Sequence, residues 1–165
     1  MRIYGVTGWK NSGKTVLVER LVAHFVARGL RVATVKHAHH AFEPDQPGKD
    51  SHRHRMAGAS QVLVASSQRW ALMTELRGAR EPPLAELIAR LDPADLVLVE
   101  GYKRDPHPKI EARRAATAQD LIAEGDPTID AVASDSPLAG LAVPVFDLDD
   151  IPAIASFILA RTGLR

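Results

Sequence analysis

The sequence predicts an α/β fold, a mainly parallel sheet flanked by helices with an antiparallel extension, and three observations carry that prediction. The apolar run Arg2-Ile3-Tyr4-Gly5-Val6-Thr7 is followed by Val16 to Arg28, where Leu17, Val18, Leu21, Val22 and Phe25 recur at helical spacing. Gly29 suits the end of that helix, and Leu30 to Val35 reads as a second strand, so the two strands make a parallel crossover. Gln61 to Ala65 and Arg69 to Thr74 stand either side of Ser66-Ser67-Gln68, the pattern of a hairpin.

The other elements follow in order. Lys36 to Asp50 is polar, holds two prolines and lacks a period, which marks a loop of functional length. Asp50 or Ser51 caps a short helix running through Ala57. Leu84, Leu87, Ile88 and Leu91 form the apolar face of a helix introduced by Pro82-Pro83 and closed near Asp92-Pro93. Leu96 to Val99 is an apolar strand. Further strands are expected at Lys109 to Ala112, Ile129 to Ala133 and Val143 to Phe146, and a last helix starts near Asp149 or Asp150 with Pro152 in its first turn.

A chain of 165 residues suits a single domain covering residues 1–165, long enough for a real core. The 21 basic and 20 acidic residues nearly cancel, which gives no general argument for nucleic-acid or membrane binding. Without cysteine there are no disulfides, thiolate metal sites or cysteine nucleophiles. No apolar run reaches membrane-spanning length, and the first strand starts at once without a signal peptide, so the cytoplasm is the expected location.

Between the first strand and helix lies Gly8-Trp9-Lys10-Asn11-Ser12-Gly13-Lys14-Thr15, which meets G-x-x-x-x-G-K-[ST] at every fixed position. Small residues let successive backbone N–H groups turn inward around phosphate oxygens, and the helix start adds its unpaired donors. Lys14 then reaches the β- and γ-phosphates, and Thr15 offers a hydroxyl to Mg²⁺. The fold expected is therefore of the P-loop NTPase type. Asp95-Leu96-Val97-Leu98-Val99-Glu100 supplies the second requirement, an apolar strand ending in an acid, and Glu100 is the candidate magnesium ligand. Asp95 lies at the opposite end of that strand. Lys10 is a candidate extra cation, while Trp9 packs against either the protein or a ligand. No residue is assigned as catalytic.

Five of the seven histidines, His37, His39, His40, His52 and His54, gather in and after the long loop. Their spacings match no regular zinc pattern, and metal chelation, contact with phosphate and a solvated polar loop all account for them. Lys49, Arg53 and Arg55 are candidate anion-binding residues. If the loops after the second and the acid-ending strands converge, His37, Lys49, Arg53, Lys103 and Lys109 make a cationic rim for a second anion or an acidic partner surface.

The P-loop is followed by Val-Lys-His-Ala-His-His at 35–40, Asp-Gln-Pro-Gly-Lys-Asp-Ser at 45–51, Arg-His-Arg-Met-Ala-Gly-Ala at 53–59, Gln-Arg-Trp-Ala-Leu-Met at 68–73 and Leu-Val-Leu-Val-Glu-Gly-Tyr-Lys at 96–103. In this combination and order the chain resembles the molybdopterin-guanine dinucleotide biosynthesis protein B family, MobB. The resemblance continues through Pro108 to Glu111, Ala133 to Asp135 and Pro144 to Asp147, and so covers most of the chain. It implies a GTP-binding accessory protein with weak GTP hydrolysis, a homodimer, and a partnership with MobA, the guanylyltransferase that joins GMP to molybdopterin. On that resemblance Gly8, Gly13, Lys14, Thr15 and Glu100 hold GTP and Mg²⁺, with His37, Lys49, Asp50 and Arg53 around a second anion. No Asn-Lys-x-Asp guanine motif is present. Asp135 either accepts hydrogen bonds from guanine N1 and N2 or caps a turn. The alternatives are a histidine-rich metallochaperone GTPase for nickel or zinc and a small-molecule P-loop kinase.

Overall fold

The computed structural model describes residues 1–38, 43 and 45–165. In chain order these form β1 (Arg2–Thr7), α1 (Lys14–Ala27), β2 (Val32–Lys36), α2 (Asp50–Met56), β3 (Gln61–Ala65), β4 (Trp70–Thr74), α3 (Leu84–Ile88), β5 (Leu96–Glu100), β6 (Lys109–Arg113), β7 (Ile129–Ser134), β8 (Val145–Asp147) and α4 (Ile151–Thr162). Two units result, Met1–His37 with Leu84–Arg165, and Ala38–Pro83.

The first unit is built on a six-stranded sheet of order β2-β5-β1-β6-β7-β8. Every neighbouring pair in it is parallel. Strand alternation sorts the side chains by face. Tyr4, Val6, Leu96, Leu98, Ile110, Ala112, Ala131 and Ala133 turn to the side where α1 brings Leu17, Leu21 and Phe25, and α4 brings Ile154, Ile158 and Leu159. Val97 and Val99 point the other way, to Leu84 and Ile88 of α3. A central strand covered on both faces has no polar alternation, and β5 is buried at each of its residues, as parallel strands require.

Element ends depart from the sequence expectation where a backbone group is already engaged. β2 begins at Val32 because the Arg31 N–H is taken by the Asp95 carboxylate at 2.7 Å and its carbonyl by the N–H groups of Asp95 and Leu96. α3 stops at Ile88, since Arg90 and Leu91 donate three residues back, a tightened last turn before Asp92 and Pro93. Two short 3₁₀ turns, Ala115–Thr117 and Ile122–Glu124, lie in the link from β6 to β7 and had no apolar period to announce them.

In the second unit β3 and β4 form their own antiparallel sheet, with Leu63 opposite Leu72 and Ala65 opposite Trp70. Asp50 is the first residue of α2, whose cap position, Lys49, makes no side-chain bond. Ser51 does not cap it either, because its hydroxyl donates to Asp45 at 2.7 Å. Arg55, expected among the anion-binding residues, is instead spent inside the unit: it reaches Glu43 at 2.5 Å, Glu75 at 2.7 Å and Asp45 at 3.5 Å with its side chain 11% exposed. The Glu43 carboxylate first and then that of Glu75 raise the Arg55 pKa still further, against its desolvation.

One buried group gives the first unit a pH dependence. Both ring nitrogens of His107 are buried without a hydrogen-bond partner among the described residues. The ring lies over Gly5, where a Cβ would come within 2.5 Å of Nε2. Burial, then the Lys109 ammonium, lowers its pKa from 6.5 to about 4, against Asp105 and Asp126. The unfolded chain therefore takes up this proton first, so the contribution to stability is complete above pH 6.5 and is lost as pH falls toward 4. Thermal melts of the wild type should show a larger fall in Tm between neutral and acid pH than melts of His107→Gln, and parallel pH profiles would contradict this.

Candidate functional site

β1 ends at Thr7, and residues 8–15 turn the chain into α1. The turn uses positive φ at Gly8 (143°), Asn11 (65°) and Gly13 (93°). At Gly8 a Cβ would stand 2.4 Å from the Ala112 carbonyl oxygen and 2.5 Å from Ser12 Oγ, so only glycine fits. Gly13, the N-cap of α1, provides no side-chain cap, and the first turn contains no acid. The helix therefore offers its unpaired N–H groups and positive dipole end to the space enclosed by the loop.

Three charged side chains meet beside that helix start. Lys14 folds its ammonium back onto the Trp9 carbonyl at 2.6 Å. Burial lowers the Lys14 pKa, with Glu100 opposing the shift and Lys103 and Lys36 reinforcing it. Thr15 Oγ1 donates to Glu100 Oε1 at 2.8 Å, and Glu100 is only 8% exposed at the end of β5. Lys36 Nζ lies 3.1 Å from the same carboxylate oxygen and 3.3 Å from Thr15 Oγ1. Sequence reasoning missed Lys36, whose signal is the mirror of the one that found Glu100: it is the last residue of β2, in register beside Glu100. A hydroxyl and a carboxylate converging on a point already served by a cation fit Mg²⁺, a hard ion that takes oxygen ligands. The loop fits a polyphosphate. Ser12, whose hydroxyl is buried without a partner among the described residues, adds a polar group at its floor.

The surrounding loops hold the site from outside. Trp9 packs on the protein: its Nε1 donates to the Asp120 carbonyl at 2.8 Å, and the Lys103 ammonium stands 3.8 Å from its ring centroid. The Asp120 segment is fixed in turn by Glu111, a buried acid that accepts from the N–H groups of Ile122 and Ala123 at 3.1 and 2.9 Å. Burial raises the Glu111 pKa, against those two bonds. Arg114 follows β6 and lays its guanidinium beside Gly13, with Nε 3.1 Å from the position of a Cβ there. It too escaped the sequence reading.

The other expected residues are distributed as follows. His37 donates its backbone N–H to the Glu100 carbonyl at 3.0 Å and sets its ring 4.8 Å from that of Tyr102, just past the acid. Asp135 accepts from the Ala115 N–H at 2.8 Å, a contact twenty residues back in the chain and not within its own turn, and also lines a cavity of about 270 Å³ walled by residues 134–137 and 145–147. Lys10 and Asn11 are exposed on the loop. Lys49, Asp50 and Arg53 belong to the second unit, where Arg53 and Asp50 make an exposed pair at 3.8 Å. Lys109 corrects the expected rim: it is fully buried at the start of β6, and its ammonium donates to the Asp105 carbonyl and to Thr128. His39 and His40 lie outside the described residues, and His52 and His54 are two apart on α2, so their side chains diverge.

Comparison with known proteins fits this geometry. The family model described as molybdopterin guanine dinucleotide synthesis protein B matches residues 3–135. The chain belongs to the MobB family. It is 42% identical over 156 residues to the molybdopterin-guanine dinucleotide biosynthesis adapter protein of Escherichia coli K12, covering 92% of this chain and 87% of that one. It is 31% identical to the probable adapter protein of Bacillus subtilis, over 96% of this chain and 92% of the other. Among solved structures, Bacillus subtilis MobB superposes with a TM-score of 0.77 at 27% identity over 98% of each chain. A MobB homologue from Bacillus stearothermophilus gives 0.71 at 32% over the whole of both.

Lys14→Ala removes an ammonium from beside an otherwise intact loop, so nucleotide affinity by calorimetry should fall about 10- to 100-fold while the far-UV spectrum stays unchanged. Wild-type affinity in the folded variant would sink the assignment. In Glu100→Gln the Mg²⁺ dependence of binding should weaken by about tenfold, with binding in EDTA retained.

Proposed function

We propose that the chain is a GTP-binding adaptor of molybdenum cofactor biosynthesis, which assists a guanylyltransferase, MobA, in joining GMP to molybdopterin. The observation that carries this reading is the family match over residues 3–135 on a chain whose phosphate loop is geometrically intact. In this reading residues 8–15 cradle the phosphates, and Thr15 and Glu100 hold Mg²⁺. The cavity at residues 134–137 and 145–147 takes the base, with Asp135 accepting from guanine N1 and N2. Arg114, next in the chain to Ala115, whose N–H is bound by the cavity residue Asp135, and beside the loop glycine Gly13, lies along the nucleotide in this reading.

Hydrolysis by the chain alone is slow in this reading, because efficient phosphoryl transfer needs a positioned water and a cation on the developing charge, and the site supplies chiefly binding and metal coordination. The working form is a homodimer in the cytoplasm. Support for self-association comes from the β3–β4 hairpin, where Leu63, Leu72 and Trp70 are 60%, 48% and 64% exposed on one face. A two-stranded hairpin with such a face is marginal by itself. No helix among the described residues is long and apolar enough to cross a membrane.

Two measurements test the proposal. Competition against labelled GTP should show GDP displacing it and ATP failing to, and Asp135→Asn, which keeps an acceptor for Ala115 but not for guanine, should lose about tenfold or more of that preference. In a reconstituted assay the protein should increase guanine dinucleotide formation by the guanylyltransferase, and Lys49→Ala with Arg53→Ala should keep GTP binding yet lose the increase. No effect of the wild type on the reaction would overturn the adaptor role.

A further inference from the structure

Lys36 stands beside the two side chains that fit a magnesium ion. Its ammonium lies 3.1 Å from Glu100 Oε1 and 3.3 Å from Thr15 Oγ1, the two atoms that fit Mg²⁺. Those atoms are 2.8 Å apart, so one small cation near both satisfies them together. An ammonium and a magnesium ion cannot share that point, since two positive charges at contact distance repel strongly even with partial screening. β2 delivers Lys36 there through its parallel register with β5, and its side chain is 57% exposed, so it leaves without unpacking the core.

We propose that Lys36 is a stand-in cation that keeps the metal site closed to free divalent ions until a nucleotide arrives, and then moves onto the terminal phosphate. The proposal rests on the reading of residues 8–15, Thr15 and Glu100 as a nucleotide and magnesium site. Glu100 is nearly buried, and a carboxylate in that position needs a counter-charge in every state. Lys36 provides it in the nucleotide-free protein. When phosphates bring Mg²⁺, the ion takes over that duty and the lysine is released beside a phosphate carrying more negative charge than the site had before. Lys14 is engaged with the Trp9 carbonyl and Lys36 with the Glu100–Thr15 pair, so the two lysines have separate tasks. The selectivity that results is for the nucleotide triphosphate with its metal, over either metal or diphosphate alone.

The test uses Mn²⁺ as the probe, followed by electron paramagnetic resonance on the nucleotide-free protein. Lys36→Met keeps the length of the side chain and removes its charge. The variant should bind Mn²⁺ about tenfold or more tightly than the wild type, and adding Glu100→Gln to it should abolish the gain. Its ratio of GTP to GDP affinity should fall by a similar factor. Thermal melts establish that each variant is folded, and Lys36→Arg, which restores a cation, should return Mn²⁺ affinity toward the wild-type value. Equal Mn²⁺ affinity in wild type and Lys36→Met, together with an unchanged GTP to GDP ratio, would overturn the proposal. Failure of the wild type to bind GTP in a Mg²⁺-dependent way would instead overturn the underlying site assignment, so the two failures are told apart.

Discussion

Glu100 ends a strand that is buried at every residue, and a carboxylate so placed is costly unless it is paired. Its partners come from two neighbouring elements, Thr15 from the start of α1 and Lys36 from the end of β2. The requirement therefore ties three segments of the first unit to one oxygen atom. It also explains why the carboxyl ends of β1, β2 and β5 meet with polar groups above a core that is otherwise apolar. Parallel pairing imposes the meeting: Lys36 and Glu100, the last residues of β2 and β5, are aligned across the sheet, and Val6, one residue before the end of β1, stands in register with Glu100.

The phosphate loop depends on this alignment but is shaped by a different constraint, the close approach of backbone. Gly8 touches the Ala112 carbonyl of the adjacent strand β6, and Gly13 touches Arg114 beyond the end of that strand. A loop in contact at one end with β6 and at the other with the residue that follows it has little freedom to collapse into its own cavity. Trp9 extends the same support outward through Asp120, whose segment is held by the buried Glu111. Glu111 is unfavourable as a buried charge, and its two backbone donors compensate by satisfying the 3₁₀ turn that would otherwise leave those N–H groups unpaired. Preorganisation of this kind lowers the ordering cost of binding a polyphosphate.

Most of the fold was legible because its signals are local. The helical spacing of Leu17, Leu21 and Phe25, the continuous apolar run of β5 and the punctuation by Gly29 and Pro83 each state an element within a dozen residues. The phosphate loop was legible for the same reason, since its fixed residues are adjacent in the chain. What stayed hidden depends on pairing across the sheet. Lys36 acquires its meaning from the register of β2 with β5, and Lys109 lost the exposed role expected of it because β6 begins there, against Thr128 and Asp105. Arg55 was misjudged likewise: a basic residue on a short helix looks solvated until three carboxylates from elsewhere in its unit reach it. Charge on a strand end or a helix is therefore read poorly from sequence, because its partner is chosen by tertiary structure.

The cationic groups around the loop differ in how they are held, and the difference sorts their duties. Lys103 is fixed over the Trp9 ring and Arg114 beside Gly13, both on segments that follow strands of the sheet and do not belong to the loop itself. Lys14 and Lys36 are held by acceptors that a ligand can replace, a lone carbonyl in one case and the Glu100–Thr15 pair in the other. Burial lowers the pKa of Lys14 and of Lys103, each ammonium being partly withdrawn from water. An anion arriving there meets charge that is poorly hydrated and close to the helix start, and such charge is attracted more strongly than the same lysine on an open surface. The fixed cations shape the field and the replaceable ones make the contacts, so the loop can accept a highly charged ligand without rebuilding the sheet beneath it.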